Sequence, residues 1–512
     1  MDKLSKKHYI IIFIVLYFLT RIPRLHNDIV STDAVYWHDR SEKFMKALND
    51  REYTKTYQMY HPGVTLMWIT GITAKVQSLI KSMPMEEVFA DFVSIHYQAK
   101  LSLVFLQFLL SLFAIYLLSK IYDVKKAVLM VSLFTFEPFY IGNSRLLHLD
   151  AQISLYVLNG LLLSYLSIKD FKWWKPTLAG IFFSLATLSK TLFIGSFLYG
   201  LVAGSFFIIV KYKFINFAKY FTLILVSTTL TYLLLFPAFW RSAETTLNTI
   251  IGDSIHVGNE AGHKQIFFGE ITRDPGPTFY PVVFILKLSA VTSLGFLLYI
   301  FIQPFNFINK IRKKEYNFSV KNISFLSFAG IFYLGYFIVL TYFSKKVDRY
   351  FVPIIPFLSI TAVAGYYSLK LKRKLTILLI IVLFTIVYPL FKTFPHYLTY
   401  INPIIGSAET GNKILGQKLF GIGVFDLRDF IVKKYGKNTR VSINDPGPLQ
   451  SIYGYNKVYN VFIEHPNSYR LMILGPNKEF PPSIIGSGIN FRQTQSIYIN
   501  GLEFWRIFEK TH

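Results

Sequence analysis

The chain has 512 residues, of which 53% are hydrophobic, 18% aromatic and only 16% charged. A soluble protein carries about 25% charged residues, so the deficit excludes an ordinary water-soluble globule and makes lipid the main solvent. The lack of cysteine excludes disulfides and thiolate chemistry, and the net charge of +25 comes without any basic nucleic-acid recognition motif.

At the N-terminus, Lys3, Lys6 and Lys7 precede an apolar run from Tyr9 to Leu19. The next residues, Thr20-Arg21-Ile22-Pro23-Arg24, are no small-residue cleavage site. The run therefore reads as a retained membrane span rather than a signal peptide. Runs of roughly 20 apolar residues match a bilayer core. Eleven segments qualify: 9–22, 99–118, 127–144, 150–168, 177–189, 192–210, 220–239, 279–302, 323–343, 351–369 and 375–393. The stretch 177–210 is short for two spans and long for one, and Lys190 interrupts it. Helices broken beside a polar site are tolerated where they line a cavity.

Charge orients these spans. With the N-terminus inside, six inward segments carry Lys3, Lys6, Lys7; Lys120, Lys125, Lys126; Lys169, Lys172, Lys175; Lys211, Lys213, Lys219; Lys310, Arg312, Lys313, Lys314, Lys321; and Lys370, Lys372, Arg373, Lys374. Their only acids are Asp2, Asp123, Asp170 and Glu315. Such a bias marks cytoplasmic loops, and eleven spans then put the C-terminus outside. The expected architecture is an all-α polytopic membrane protein, residues 1–393, with outside loops 23–98 and 240–278. Segment 394–512 follows as an extracytoplasmic tail. The tail alternates apolar runs (Arg440–Asn444, Val458–Ile463, Arg470–Leu474, Ile497–Ile499, Phe504–Phe508) with turn signals such as Asp445-Pro446-Gly447-Pro448 and Asn500-Gly501. It reads as a small α/β domain.

The ionisable residues that could do chemistry lie on the outer side. The first outside segment holds Ser31-Thr32-Asp33-Ala34-Val35-Tyr36-Trp37-His38-Asp39-Arg40, then Tyr60-His61-Pro62-Gly63. A carboxylate at Asp33 can take a proton from an attacking hydroxyl, or it can cap the following helix. The second outside turn, Asn143-Ser144-Arg145-Leu146-Leu147-His148-Leu149-Asp150, sets three ionisable groups between apolar spans, where they are costly and usually functional. Arg145 offers a planar fork for phosphate, or pairs internally with Asp150. Asp150 or His148 could hold a divalent cation or a sugar hydroxyl. Lys190 either snorkels or meets an anion. The outward turn Ser344-Lys345-Lys346-Val347-Asp348-Arg349-Tyr350 breaks the charge rule. Phosphate at the surface explains its cations, and so does plain solvation of the loop. His256 and His263 lie in a Pro/Gly-shaped loop and read as solvated histidines before metal ligands.

Together these pieces resemble the GT-C superfamily of integral-membrane glycosyltransferases, and most of all its protein O-mannosyltransferase and aminoarabinose-transferase branch. The likeness rests on Asp33, Trp37, Arg40 and His61-Pro62-Gly63; on Arg145 with Asp150; on Lys190; on Lys346-Val347-Asp348-Arg349-Tyr350 with Pro353; and on Pro395-His396-Tyr397-Leu398-Thr399-Tyr400-Ile401-Asn402-Pro403. It runs from about residue 20 to 410. Relatives often carry Asp-Glu in the first loop; here the second position is Ala34, and Asp39 lies on another part of the segment. The resemblance implies a polyprenyl-phosphate-linked monosaccharide as donor and an acceptor protein, lipid or glycan. It implies transfer with inversion, Asp33 as general base, and Arg145, Lys190, Lys346 and Arg349 as cations for the leaving phosphate. Trp37, Asp39, Arg40, His61, His148, Asp150, His263, Asp348 and Tyr350 are expected to bind substrate or support the site. The rival class is a transporter or flippase of lipid-linked sugars. Such proteins tend to bury charge near mid-membrane and to show internal repeats. Here the ionisable residues gather at one surface, and no repeat is visible.

Overall fold

The structure, a computed structural model, describes residues 6–260, 262–312, 323–369, 383–485 and 487–511. Through Ser368 the described chain is helical apart from one hairpin. The helices are α1 (Lys6–Arg21), α2 (Thr32–Asn49), α3 (Val64–Lys81), α4 (Met85–Ala90), α5 (Phe92–Leu118), α6 (Val124–Thr135), α7 (Pro138–Ser144) and α8 (Asp150–Lys169). They continue with α9 (Trp174–Ser189), α10 (Ile194–Lys211), α11 (Phe214–Leu235), α12 (Ala238–Asn259), α13 (Phe279–Lys287), α14 (Ala290–Arg312), α15 (Phe325–Tyr342) and α16 (Ile355–Ser368). Short polar side chains start several of them. Ser31 accepts from the Ala34 amide at 3.1 Å, and Asp123 from the Lys126 amide at 2.9 Å. Each satisfies an amide that the first helical turn leaves free.

Six segments among the described residues are long and apolar enough to cross a bilayer: Phe92–Leu118, Asp150–Lys169, Thr191–Lys211, Phe214–Leu235, Phe325–Tyr342 and Asp348–Ser368. Two of the eleven expected spans are instead broken helices. The stretch 127–144 divides between α6 and α7 at Glu137-Pro138, because proline opens a new helix. The stretch 279–302 divides at Leu288-Ser289, where Glu137 accepts from the Ser289 amide at 2.9 Å and from the Ser289 hydroxyl at 2.5 Å. The doubtful 177–210 stretch resolves into α9 and α10, joined through Lys190 in extended backbone. The span expected at 375–393 begins outside the described residues, as do the basic positions 313–314, 321 and 370–374.

The central pillar is α8, buried from Asp150 to Ile168. Loops expected on the inner side meet at one end of it. Lys211 donates to the carbonyls of Ile168 and Lys169 at 2.8 and 3.0 Å, and Lys175 to that of Leu166 at 3.1 Å. Cations there complement the carbonyl end of α8.

Between α12 and α13 lies an antiparallel hairpin, β1 (Gln265–Phe267) and β2 (Glu270–Thr272), with Phe268 and Gly269 at positive φ in its turn. The tail forms a five-stranded mixed sheet in the order β4-β3-β5-β7-β6, made of β3 (Val441–Ile443), β4 (Val458–Asn460), β5 (Leu471–Leu474), β6 (Phe491–Ile499) and β7 (Leu502–Lys510). Strand β3 is parallel to β4 and β5, while β7 runs antiparallel to β5 and β6. The Asp445–Pro448 turn signal opens a helix, Pro446–Tyr453, rather than a plain turn. The His396 motif is a joint: its imidazole nitrogen and Arg24 lie 3.1 and 3.0 Å from the two carboxylate oxygens of Asp426.

Candidate active site

The site is assembled where four helix ends meet on the side expected to face outward. The first turn of α2 presents Asp33, behind its Ser31 cap. Both sequence readings of this stretch find a residue: Ser31 caps the helix and leaves the Asp33 carboxylate free to face the cavity. The first residue of α8 is Asp150. Lys190 stands at the break between α9 and α10, and Arg349 at the tight turn Asp348–Ile354 before α16.

These side chains form one network. Asp33 accepts from Arg349 Nη1, and its Oδ2 lies 3.4 Å from His148 Nε2. His148 Nδ1 lies 3.1 Å from Asp150 Oδ2, and Asp150 Oδ1 accepts from Lys190. Arg349 Nε lies 3.8 Å from Asp150. Lys190 also sits 4.8 Å over the Tyr350 ring, and Arg349 lies 5.1 Å from the Phe420 ring centre. Asp150, Lys190 and His148 are buried, whereas the Asp33 side chain keeps 35% of its exposure. Burial raises the Asp33 carboxyl, but the Arg349 charge and the His148 hydrogen bond outweigh it and hold the group well below the usual carboxylate range. Burial and then the Lys190 charge push His61 down to about 3, so its imidazole is neutral at pH 7.

Asp33 and Arg349 open onto a cavity of about 610 Å³ that Thr32, His263, Tyr350 and Lys264 also line. Its far wall comes from the tail: Gly416–Phe420, Asp445 and Pro476–Lys478. Asp445 accepts the hydroxyl of Thr32, and burial pushes its carboxyl up. Lys418 carries no sequence signal, and Asp445 only a turn signal that does not mark it as a site residue. Each is a single charge in a tail whose pairing with α2 spans some four hundred positions.

Other expected site residues lie elsewhere. Arg145 is the clearest correction. Its Nε donates to Asp28 at 2.8 Å, Nη1 to the carbonyls of Thr20 and Arg21 at 3.1 and 3.0 Å, and Nη2 to that of Pro23 at 2.9 Å. The fork expected at the donor phosphate is spent inside the protein on Asp28, which also accepts from buried Lys100. Nor does Arg145 pair with Asp150. Lys346 is buried and bonded to Asp274 at 2.9 Å and the Phe343 carbonyl at 2.6 Å, so it anchors the loop after β2. Asp39 pairs with Lys43 at 2.7 Å on an exposed face of α2, away from the network. Asp348 accepts from the Arg349 amide at 2.9 Å and shapes the turn. Arg40 makes no ion pair among the described residues and lies 4.8 Å from the Trp37 ring. His263 is exposed at the cavity edge.

Trp37 explains Gly63. A Cβ at this residue, whose φ is +58°, would come within 2.1 Å of Trp37 Cη2. Gly63→Ala is expected to cost about 1–3 kcal/mol from the left-handed backbone alone, plus the clash. Thermal unfolding measures it, and an unchanged melting temperature would rule the packing out.

The Asp150–His148 pair offers a divalent cation two side chains, of which Asp150 already accepts from Lys190. Both carboxylates of the network already face Arg349 or Lys190, and the described residues contain no group of three acidic or imidazole side chains placed to share an ion.

No family model matches the chain, and no curated protein sequence does. Solved structures do. The chain is similar to ArnT from Cupriavidus metallidurans bound to undecaprenyl phosphate, at 12% identity over 98% of this chain and 97% of that one, with a TM-score of 0.52. The apo form of the same protein gives 12% identity, 98% of each chain and a TM-score of 0.52. An oligosaccharyltransferase from Archaeoglobus fulgidus gives 12% identity, 92% of this chain and 70% of that one, with a TM-score of 0.47. The likeness to ArnT extends along nearly the whole length, so the chain has the GT-C fold and is a multi-pass membrane protein.

Proposed function

We propose, with that fold as the premise, that the chain is a membrane glycosyltransferase. It moves a monosaccharide from a polyprenyl-phosphate donor to an acceptor protein, lipid or glycan at the extracytoplasmic face. One observation carries this reading: an ionised carboxylate, Asp33, at the edge of a 610 Å³ cavity, with Arg349 and Lys190 in the same network. The acceptor hydroxyl gives its proton to Asp33 as its oxygen bonds to the anomeric carbon. The bond from that carbon to the phosphate oxygen breaks, and its electron pair leaves with the polyprenyl phosphate. Attack opposite the leaving group inverts the anomeric centre. Negative charge grows on the departing phosphate, and the preorganised cations Arg349 and Lys190 favour it. His148 holds the two carboxylates in register, and the tail covers the reacting centre. The Lys and Arg of alternate loops support a cytoplasmic N-terminus and an outside tail.

The test is chemical. The purified chain in nanodiscs, given lipid-linked sugars and envelope acceptors extracted from its source cell, should release polyprenyl phosphate. It should form a glycoside of opposite anomeric configuration, read by mass spectrometry and NMR. Movement of the intact donor across a vesicle bilayer, with no cleavage, would make the protein a flippase instead.

A further inference from the structure

The cavity contains a half-buried cation that forms no ion pair among the described residues. Lys418 lines it together with Asp33 and Arg349. Arg349 pairs with Asp33 and Lys190 with Asp150, while Lys264 and Lys478, which also line the cavity without an ion pair among the described residues, are exposed to water. The half-buried Lys418 ammonium makes no hydrogen bond or ion pair with any described residue. A cation removed from water is costly unless it is paired.

The backbone around Lys418 is held on both sides. Leu415 bridges to Phe267, the Gly416 amide donates to the Ile266 carbonyl at 3.1 Å, and the Gln417 amide to Asn412 Oδ1 at 2.7 Å. Beyond it, Gly421 passes so close to the Val30 carbonyl that a Cβ would lie 1.7 Å from that oxygen. The ammonium is thus presented from a fixed loop, as anion recognition needs.

We propose that Lys418 is the anion-binding residue of the cavity, holding a phosphate-like group of a substrate beside Asp33 and Arg349. The assignment rests on the transferase reading for the identity of the substrate, but binding can be measured without any transfer. The groups facing Lys418 are the acids Asp33, Asp348 and Asp445, and the bases Arg349, Lys264, Lys478 and His263. Burial brings the ammonium down to about 8; the charges of Asp348 and Asp33 oppose that shift and Arg349 adds to it. It is charged below that value and loses its charge as pH rises through it, so anion binding should weaken above pH 8. Arginine at the same position stays charged and removes that limb.

The experiment is equilibrium binding by the full chain in nanodiscs, with two probes, undecaprenyl phosphate and inorganic phosphate, to wild type, Lys418→Gln and Lys418→Arg. Lys418→Gln should weaken binding roughly tenfold to a hundredfold, as for a lost charge-assisted hydrogen bond. Lys418→Arg should stay within a few-fold of wild type, with no weakening at pH 9. Loss with undecaprenyl phosphate assigns the anion to the lipid donor. Loss with inorganic phosphate alone assigns it to a soluble, acceptor-side group. If Lys418→Gln melts like wild type and binds both probes equally well, the proposal is wrong. Intact binding effects without sugar transfer would instead overturn only the proposed function.

Discussion

Asp33→Asn should lower turnover by about 10²- to 10⁴-fold, the usual range for removing a positioned general base, while the protein still inserts and folds. The amide keeps the shape of the carboxyl and loses only its charge and basicity. Asp33 is partly exposed, and Arg349 still has Asp150 at 3.8 Å, so its charge is not left without an acid. Turnover should be measured by release of polyprenyl phosphate, alongside thermal unfolding. Activity within about fivefold of wild type would remove Asp33 from the chemistry. The pH dependence follows from the same contacts. Because the folded carboxyl lies below its usual range, the basic form is present at pH 7 and is lost only as pH falls through that depressed value. The rate should therefore not decline between pH 7 and pH 5 through Asp33. A limb in that range would point to a group other than Asp33.

Asp28→Ala should be the most damaging single change to stability, at about 3–5 kcal/mol, the cost of leaving a buried charge without its partner. Asp28 is buried and serves two cations, accepting from Lys100 and, at 2.8 Å, from Arg145 Nε. Its removal strands both. The double variant Asp28→Ala/Lys100→Met should recover part of the loss, because it removes one stranded cation as well. Unfolding in nanodiscs, wild type against both variants, checks this. A loss under about 1 kcal/mol for Asp28→Ala would show that water or lipid reaches the cluster.

Much of the network is legible in the sequence. Apolar runs, loop charge and the outward positions of Asp33, His148, Asp150, Lys190 and Arg349 are local features, and these five side chains do meet. The placement of Arg145 is not legible. A guanidinium between two spans suits phosphate and a buried carboxylate equally, and the choice depends on Asp28, 117 positions away. The two broken spans show the same limit in different degrees. Glu137-Pro138 carried its own signal, since proline cannot continue a helix. The break at Ser289 depends on a carboxylate 152 positions back and had no local mark. As site residues, Lys418 and Asp445 are invisible for the same reason: what gives them meaning is a chain crossing near Gly421, not their neighbours.

That crossing also has a bearing on biosynthesis. Residues after 415 leave the ribosome last, and the earlier part of a chain generally folds first. Asp33 and Arg349 can therefore pair while the side of the cavity that Lys418 and Asp445 will form is still unmade. A nascent or truncated protein ending before 415 keeps its acid and its cations but leaves them open to water. Synthesis of the segment after 415, rather than insertion of the helices before it, supplies the wall that faces Asp33 and Arg349.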